Sequence, residues 1–144
     1  MYYTVQYHSI FNNNEYFPGS NIIIKMRDSF GDSWTGAYLR IEKQTSPGLW
    51  TEIWTGANLD QDGRQNLVET TTVAIVLPAG YYRSFVSPII QSSYPEDITY
   101  EIKAAVVTGG NITEGQTYAS ATAVNNPNGT NDIANPIEFT IPPS

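Results

Sequence analysis

Two aspartates and a tryptophan share one short, glycine-containing segment of this chain. In MRDSFGDSWTGAYLRI, residues 26–41, Asp28 and Asp32 are four residues apart, with Gly31 between them and Trp34 just after. A hard cation such as Ca²⁺ takes about six to eight oxygen ligands from carboxylates, carbonyls and water. Two acids at this spacing around a glycine can direct carboxylate and carbonyl oxygens at one cation. The same pattern also fits a solvated turn in which the aspartates cap backbone amides.

A second acidic segment has the spacing of a calcium-binding loop. NLDQDGRQNLVE fits D-x-[DN]-x-[DN]-G-x5-E, and its candidate ligands are Asn58, Asp60, Asp62 and Glu69. Gln65 stands where an apolar residue normally packs, and the flanking segments have the composition of strands rather than helices. A solvated hairpin turn explains the segment equally simply. We therefore treat it as a second, weaker candidate metal site.

The elements that must position these residues are predicted to be strands. Runs rich in Val, Ile, Thr, Tyr and Trp alternate with turn residues along the chain, and no window has a helical apolar stripe. The sequence therefore predicts an all-β fold, a single antiparallel β-sandwich that is jelly-roll-like and has about nine strands. The predicted strands are Tyr2–Tyr7, Asn21–Arg27, Ala37–Lys43, Leu49–Trp54, Thr70–Leu77, Tyr81–Ser87, Ile98–Val107, Thr117–Ala123 and Pro136–Ile141.

The length and composition fit one domain. The chain has 144 residues, of which 40% are hydrophobic and 12% aromatic, enough for one packed core. We expect a single β-sandwich domain over 1–144, with a motif-bearing core at about 21–107 and an Asn/Thr/Pro-rich C-terminal extension at 108–144. The sequons at Asn111 and Asn128 in that extension are candidate glycosylation sites.

Three stretches together resemble a known kind of module. DSFGDSWTGAYLRI, LPAGYY and SYPEDITYEI resemble the calcium-stabilised, jelly-roll-like β-sandwich modules of secreted and surface proteins, whose metal site is somewhat like that of CUB domains. The hallmark of these modules is a D-x-x-G-D-G-W-N-G turn, followed later by an acid just before a strand. The resemblance covers about residues 21–105.

The resemblance assigns metal-site roles to particular residues. It implies that Asp28, Asp32 and Asp97 supply carboxylates, with Glu96 as a possible substitute, and that carbonyls near Gly31 and Trp34 complete the shell. Ser33 replaces the usual glycine of the motif and Thr35 the usual asparagine. Trp34 itself is expected to be a core or loop-anchoring aromatic residue.

Composition argues against several classes of function. The formal net charge is −7 and no basic cluster occurs, so nucleic-acid binding is not expected. The chain has no cysteine, no apolar run long enough for a membrane span and no visible signal peptide. The single histidine, His8, falls in a predicted edge strand, and the spacing of Glu15, Glu52, Glu69 and Glu96 gives no sign of a catalytic pair. We therefore expect no enzymatic activity.

Two features suggest partners. Trp50 and Trp54 are four residues apart in LWTEIW, which predicts that they share one face of a strand, either in the core, as we favour, or as a carbohydrate-binding platform. The terminal segments 1–9 and 132–144 are strand-like, so they either complete the domain's own sheets or add to a neighbour's sheet. The sequence thus predicts a calcium-stabilised structural subunit of an extracellular fibre, sheath or adhesive layer. The alternative is a calcium-dependent, lectin-like carbohydrate-binding module.

Overall fold

The described residues of the chain form nine strands. The structure, a computed structural model, describes residues 4–8, 20–28, 34, 37–57, 69–87, 98–122 and 135–143. The strands are β1 (Thr4–His8), β2 (Ile22–Asp28), β3 (Tyr38–Ser46), β4 (Leu49–Gly56), β5 (Glu69–Ile75), β6 (Gly80–Ser87), β7 (Ile98–Thr108), β8 (Asn111–Thr122) and β9 (Ile137–Ile141). Within these ranges no helix occurs, and thus none that could span a membrane.

The strands form two antiparallel sheets. The eight strands β2 to β9 form two four-stranded sheets, and β1 adds a fifth strand at one edge. The five-stranded sheet has the order β1-β5-β2-β7-β8, and the four-stranded sheet has the order β4-β3-β6-β9. Every neighbouring pair is antiparallel. The prediction of an all-β, antiparallel β-sandwich is therefore confirmed.

The core lies between the two sheets, as the alternation of side chains requires. On β2, Ile22, Ile24 and Met26 point inward and are fully buried. On β3, Leu39 and Ile41 do the same, while Arg40 between them faces outward. Further core residues from the other strands are Val73, Ile75, Tyr82, Val86, Tyr100, Ile102, Phe139 and Ile141.

One buried polar contact joins the sheets. The hydroxyls of Ser84 on β6 and Tyr100 on β7 are 3.0 Å apart, and both residues are fully buried. Burial is the main influence on the pKa of Tyr100 and raises it above the usual value, although the hydrogen bond with Ser84 opposes the rise. A buried hydroxyl without a partner would be costly, so this contact favours one relative position of the two sheets.

Two tight hairpins follow from local turn chemistry. Ser46 pairs with Leu49 across the Pro47-Gly48 turn, where Gly48 has a φ of 75° that an L-residue adopts with strain. Thr108 and Asn111 pair across a second two-residue turn. The second hairpin is longer than predicted, because β8 begins at Asn111 and not at Thr117. Pairing with β7 outweighs the turn-rich composition of the early part of β8.

A β-bulge corrects the prediction for the two tryptophans of β4. Ile41 pairs with Trp54, but the next residue of β3 pairs with Glu52, so β4 has one extra residue at this point. An extra residue reverses the alternation of side chains. Trp54 is therefore in the core, 4% exposed, whereas Trp50 is on the outer face and only partly buried. The prediction that they share one face is wrong.

The terminal strands lie at sheet edges. β1 pairs with β5 at the edge of the five-stranded sheet, and β9 pairs with β6 at the edge of the four-stranded sheet. Both pairings are within one chain. On the β9 side the two sheets are also in contact, because the Tyr118 ring of β8 stacks on Phe139 with centroids 5.8 Å apart.

Candidate metal site

Three segments that carry predicted ligands meet at one end of the five-stranded sheet. Asp28 is the last residue of the central strand β2, and it pairs with Glu69 of β5 on one side and with Ile98 of β7 on the other. Directly opposed Cα atoms in antiparallel strands are about 4.5–5.5 Å apart. Asp97 directly precedes Ile98 in the sequence. The fold therefore brings the first acid of the turn motif next to the strand that follows the later acid.

Trp34 fastens the motif loop to this end of β2. Its ring is 1% exposed, and its indole Nε1 donates a hydrogen bond of 2.9 Å to the carbonyl oxygen of Arg27. The Trp34 carbonyl in turn accepts a 3.1 Å hydrogen bond from the Ala37 amide, just before β3 begins. The chain thus returns to β2 within seven residues. Trp34 is both a core residue and a loop anchor.

Most of the remaining predicted ligands are outside the described residues. This applies to Gly31, Asp32, Glu96 and Asp97 of the first site, and to Asn58, Asp60 and Asp62 of the second. Asp28 and Glu69 are described by their backbone alone. Among the side chains that the structure describes, no group of three or more acidic or histidine residues is placed to hold a metal.

The register adds Glu69 to the first candidate site. In the sequence, Glu69 closes the second, weaker calcium-loop pattern, 41 residues from Asp28. In the fold the two residues occupy opposed positions on neighbouring strands. Sequence spacing could not reveal this, because the pairing of β2 with β5 is a tertiary contact. The first acid of one predicted acidic segment and the last acid of the other therefore lie at opposed positions.

The described residues considered for catalysis lie on both sheets. His8 of β1 pairs with Thr71 of β5, two residues along the strand from Glu69, whereas Glu52 is on the outer face of the four-stranded sheet in an ion pair with Arg40. Glu15 and Glu96 are outside the described residues. A cleft of about 470 Å³ lies at the opposite end of the sandwich from Asp28, and it is lined by Asn21, Val76, Leu77, Pro78, Ala79, Pro142 and Pro143. That lining offers no acid, base or nucleophile.

A small ion-pair network lies on the outer face of the five-stranded sheet. Lys103 Nζ is 3.0 Å from Glu114 Oε1 and 3.3 Å from Glu101 Oε2, and Lys25 also pairs with Glu114. Burial alone would raise the pKa of Glu114, but the hydrogen bonds from the two lysines lower it overall. The hydrogen bond to Glu114 raises the pKa of Lys103. Partly exposed ion pairs of this kind contribute little to the free energy of unfolding. We assign the network a minor structural role.

One of the two candidate glycosylation sites is described. Asn111 is exposed at the β7–β8 turn, so its side chain is accessible, and Asn128 is outside the described residues. Comparisons of the chain with known protein families, with curated proteins and with solved structures found no match.

Proposed function

We propose that this chain is a non-enzymatic, calcium-stabilised structural module. In this proposal it is a subunit of an extracellular fibre, sheath or adhesive layer that associates through its terminal strands. One observation carries the calcium part: Asp28 is paired on one side with Glu69 and on the other with Ile98, the residue after Asp97. The extracellular location comes from the resemblance of the motif to modules of secreted and surface proteins.

The need for a cation follows from charge. Acidic residues at directly opposed positions of neighbouring strands destabilise a sheet, and Asp28 and Glu69 are such a pair. Asp97 adds a third acid close along the chain. A divalent cation at this end would turn the repulsion into attraction and would join the ends of three strand segments. Its binding free energy would then add to the stability of the fold.

The ligand set that we propose consists of oxygens alone, which suits Ca²⁺. Asp28, Asp32 and Asp97 would supply carboxylates, with Glu96 or Glu69 as a further acid. Carbonyls near Gly31 and Trp34 would complete the shell. The carbonyl of Trp34 already accepts one hydrogen bond from Ala37, and a carbonyl oxygen has a second lone pair for a cation.

The assembly part rests on the position of the terminal strands. β1 and β9 are both edge strands of five residues, so each pairs with only one of the strands that the structure describes. Residues 9–21 separate β1 from β2, and residues 123–136 separate β8 from β9. An extended segment of such length reaches about 40 Å. Either strand could therefore take the same register in a neighbouring subunit, and head-to-tail exchange of this kind produces filaments.

The calcium part is tested by thermal unfolding in chelator, in millimolar Ca²⁺ and in millimolar Mg²⁺. A ligand that binds only the folded state adds about 2.7 kcal/mol at a hundredfold excess over Kd. For a chain of this size each kcal/mol moves the midpoint by about 2–4 °C, so we expect calcium to raise it by several degrees. We call this rise in the unfolding midpoint the calcium increment. Asp28→Asn and Glu69→Gln should each reduce it. Glu52→Gln, at an acid on the other sheet, is the matched control and should leave the increment unchanged.

An absent calcium increment, or an equal loss in Asp28→Asn with and without calcium, would contradict a metal role. The second result would mean that Asp28 acts as a turn cap. Magnesium giving the same increment as calcium would argue for general charge screening and against a dedicated calcium site.

The assembly part is tested with disulfides, because the chain has no native cysteine. Val5 and Ala74 are opposed across β1 and β5, at a Cα separation that a disulfide can bridge. In the Val5→Cys/Ala74→Cys variant, strand exchange should give ladders of linked chains on non-reducing gels. The Lys43→Cys/Thr51→Cys variant is the control, since this hairpin pair must link within one chain. Linked monomers alone at every concentration would refute exchange of β1 and leave the calcium proposal intact.

A further inference from the structure

The outer face of the four-stranded sheet has an unusual set of side chains. We call it the ring face and define it by the rings of Tyr38, Trp50, Tyr81 and Phe85 and by the charged residues Arg40, Glu42, Glu52, Arg83 and Glu138. These residues alternate along β3, β4, β6 and β9 with the residues that face the core. The bulge in β4 is what places Trp50 on this face.

The centre of the ring face is a group of three touching side chains. The Trp50 and Tyr81 rings have centroids 5.8 Å apart and are tilted by 40°. The guanidinium carbon of Arg83 is 4.4 Å from the centroid of the Trp50 ring. Tyr81 is 39% exposed, and Trp50 is only partly buried. Arg83 lies over one face of the Trp50 ring, so the aromatic surface that the group presents to solvent comes from Tyr81 and the remaining surface of Trp50.

Polar groups surround this centre and are themselves held in place. Arg83 Nε donates a 2.6 Å hydrogen bond to Glu42 Oε1, and the Tyr81 hydroxyl donates one to Glu138. That hydrogen bond is the main reason that the pKa of Tyr81 is raised. Guanidinium N–H donors and carboxylate oxygen acceptors thus lie next to the edges of the rings.

The chemistry of the ring face favours an uncharged sugar. A sugar ring has C–H groups on its faces, which pack on aromatic rings, and hydroxyls at its rim, which both donate and accept hydrogen bonds. The face has both kinds of partner. Its three carboxylates exceed its two guanidinium groups, and the chain has a net charge of −7, so a polyanion would be repelled.

A second copy of the chain or an apolar peptide suits the face less well. Either would have to bury the Arg83–Glu42 pair and the Arg40–Glu52 pair, the latter 2.9 Å apart, away from water. Desolvation of ion pairs is costly. A sugar chain keeps hydroxyls and water next to these groups, so it covers the rings without that cost.

We propose that the ring face binds an uncharged polysaccharide chain, with Trp50 and Tyr81 as the stacking residues and Arg83 and Glu138 among the hydrogen-bonding groups. This binding does not depend on calcium. Tyr38 begins β3 close to the anchored Trp34 loop, whereas Gln44, the partner of Trp50, is six residues further along the strand. At about 3.3 Å per residue, the stacking group is about 20 Å from that end of the strand. The proposal thus goes beyond the structural role and replaces the calcium-dependent, lectin-like alternative.

The test uses the intact chain and short soluble oligosaccharides of glucose, xylose, mannose and N-acetylglucosamine, with tryptophan emission and calorimetry as readouts. Trp34 and Trp54 are buried, so a change in emission on binding reports mainly on Trp50. We expect at least one of these sugars to bind. Trp50→Ala and Tyr81→Ala should each weaken binding by roughly tenfold. Leu49→Ala removes the neighbouring side chain, which is 58% exposed, and should leave affinity unchanged.

Several results would overturn the proposal. These are no binding of any of the sugars at up to about 10 mM, loss of binding in chelator, Trp50-dependent binding of heparin, or self-association that Trp50→Ala abolishes. The last two would identify an anionic partner or a second copy as the occupant. If Trp50→Ala fails to fold, Trp50→Phe and Tyr81→Ala decide the question, and unchanged affinity in both would refute the stacking role.

Discussion

The substitution Trp34→Phe should separate the two roles of this residue. Phenylalanine keeps an aromatic ring in the core but lacks the indole N–H that bonds to the Arg27 carbonyl at 2.9 Å. The Trp34 side chain is buried and its hydrogen bond to Arg27 is partly buried, so solvent compensates only in part for the lost bond. The change therefore removes the link between the motif loop and β2 together with part of the ring volume.

The expected magnitude follows from those two losses. Loss of this partly buried hydrogen bond costs about 1–2 kcal/mol, and the smaller ring leaves a cavity that costs about 1–2 kcal/mol more. The sum, about 2–4 kcal/mol, corresponds to a fall of about 5–15 °C in the unfolding midpoint of a chain of this size. Trp54→Phe is the matched control, because Trp54 is similarly buried and lies on β4, in the sheet that does not contain β2.

The informative measurement is the unfolding midpoint of each variant with and without calcium. If Trp34 holds the motif loop in position for a cation, Trp34→Phe should also reduce the calcium increment, whereas Trp54→Phe should lower stability and leave that increment as in the wild type. A wild-type calcium increment in Trp34→Phe would refute the reasoning. It would mean that the ring only fills the core.

Two further predictions concern the buried tyrosines. Ser84→Ala and Tyr100→Phe should each lower the free energy of unfolding in urea by about 1–3 kcal/mol, because each change leaves one buried hydroxyl without its partner. The double variant should lose less than the sum of the two single losses. Simple additivity of the two losses would contradict the hydrogen bond between the sheets. Burial raises the pKa of Tyr82 from 10.0 to about 12. The folded state then holds this proton more tightly than the unfolded state, so the contribution is complete below about pH 10 and is lost as the pH rises toward 12. Urea midpoints from pH 8 to 11 should fall less steeply in Tyr82→Phe than in the wild type, and equal slopes would contradict this assignment.

The strands could be predicted because their signals are local. Alternation of apolar and polar residues predicts β3 and β7, and the Pro47-Gly48 turn predicts the hairpin between β3 and β4. The early part of β8 is not predicted because Asn111, Glu114 and Gly115 are residue types that are depleted in strands. It is a strand because the exposed end of β7 pairs with it.

The prediction that Trp50 and Trp54 share one face failed for a different physical reason. With strict alternation of side chains, Trp50 and Trp54 would lie on the same face of β4. The register shift between Ile41 and Glu42 in the β3–β4 pairing places them on opposite faces. A bulge is set by how two strands fit and not by either sequence alone. The sequence also contained no sign that Glu69 would oppose Asp28, since strand order depends on the whole sandwich.

Assembly through β9 would join the two proposals. Glu138 of β9 accepts the hydrogen bond of the Tyr81 hydroxyl, so a β9 strand that came from a neighbouring subunit in the same register would bring this group with it. Each ring face would then be completed by the next subunit and would keep the same chemistry. A filament of such subunits presents many identical faces to one polysaccharide chain, and linked sites raise the overall affinity far above that of a single site. Weak binding of polysaccharide by the monomer is therefore compatible with an adhesive function, and we expect the affinity to rise when subunits assemble. Equal affinity of monomer and filament would mean that the ring face does not serve adhesion.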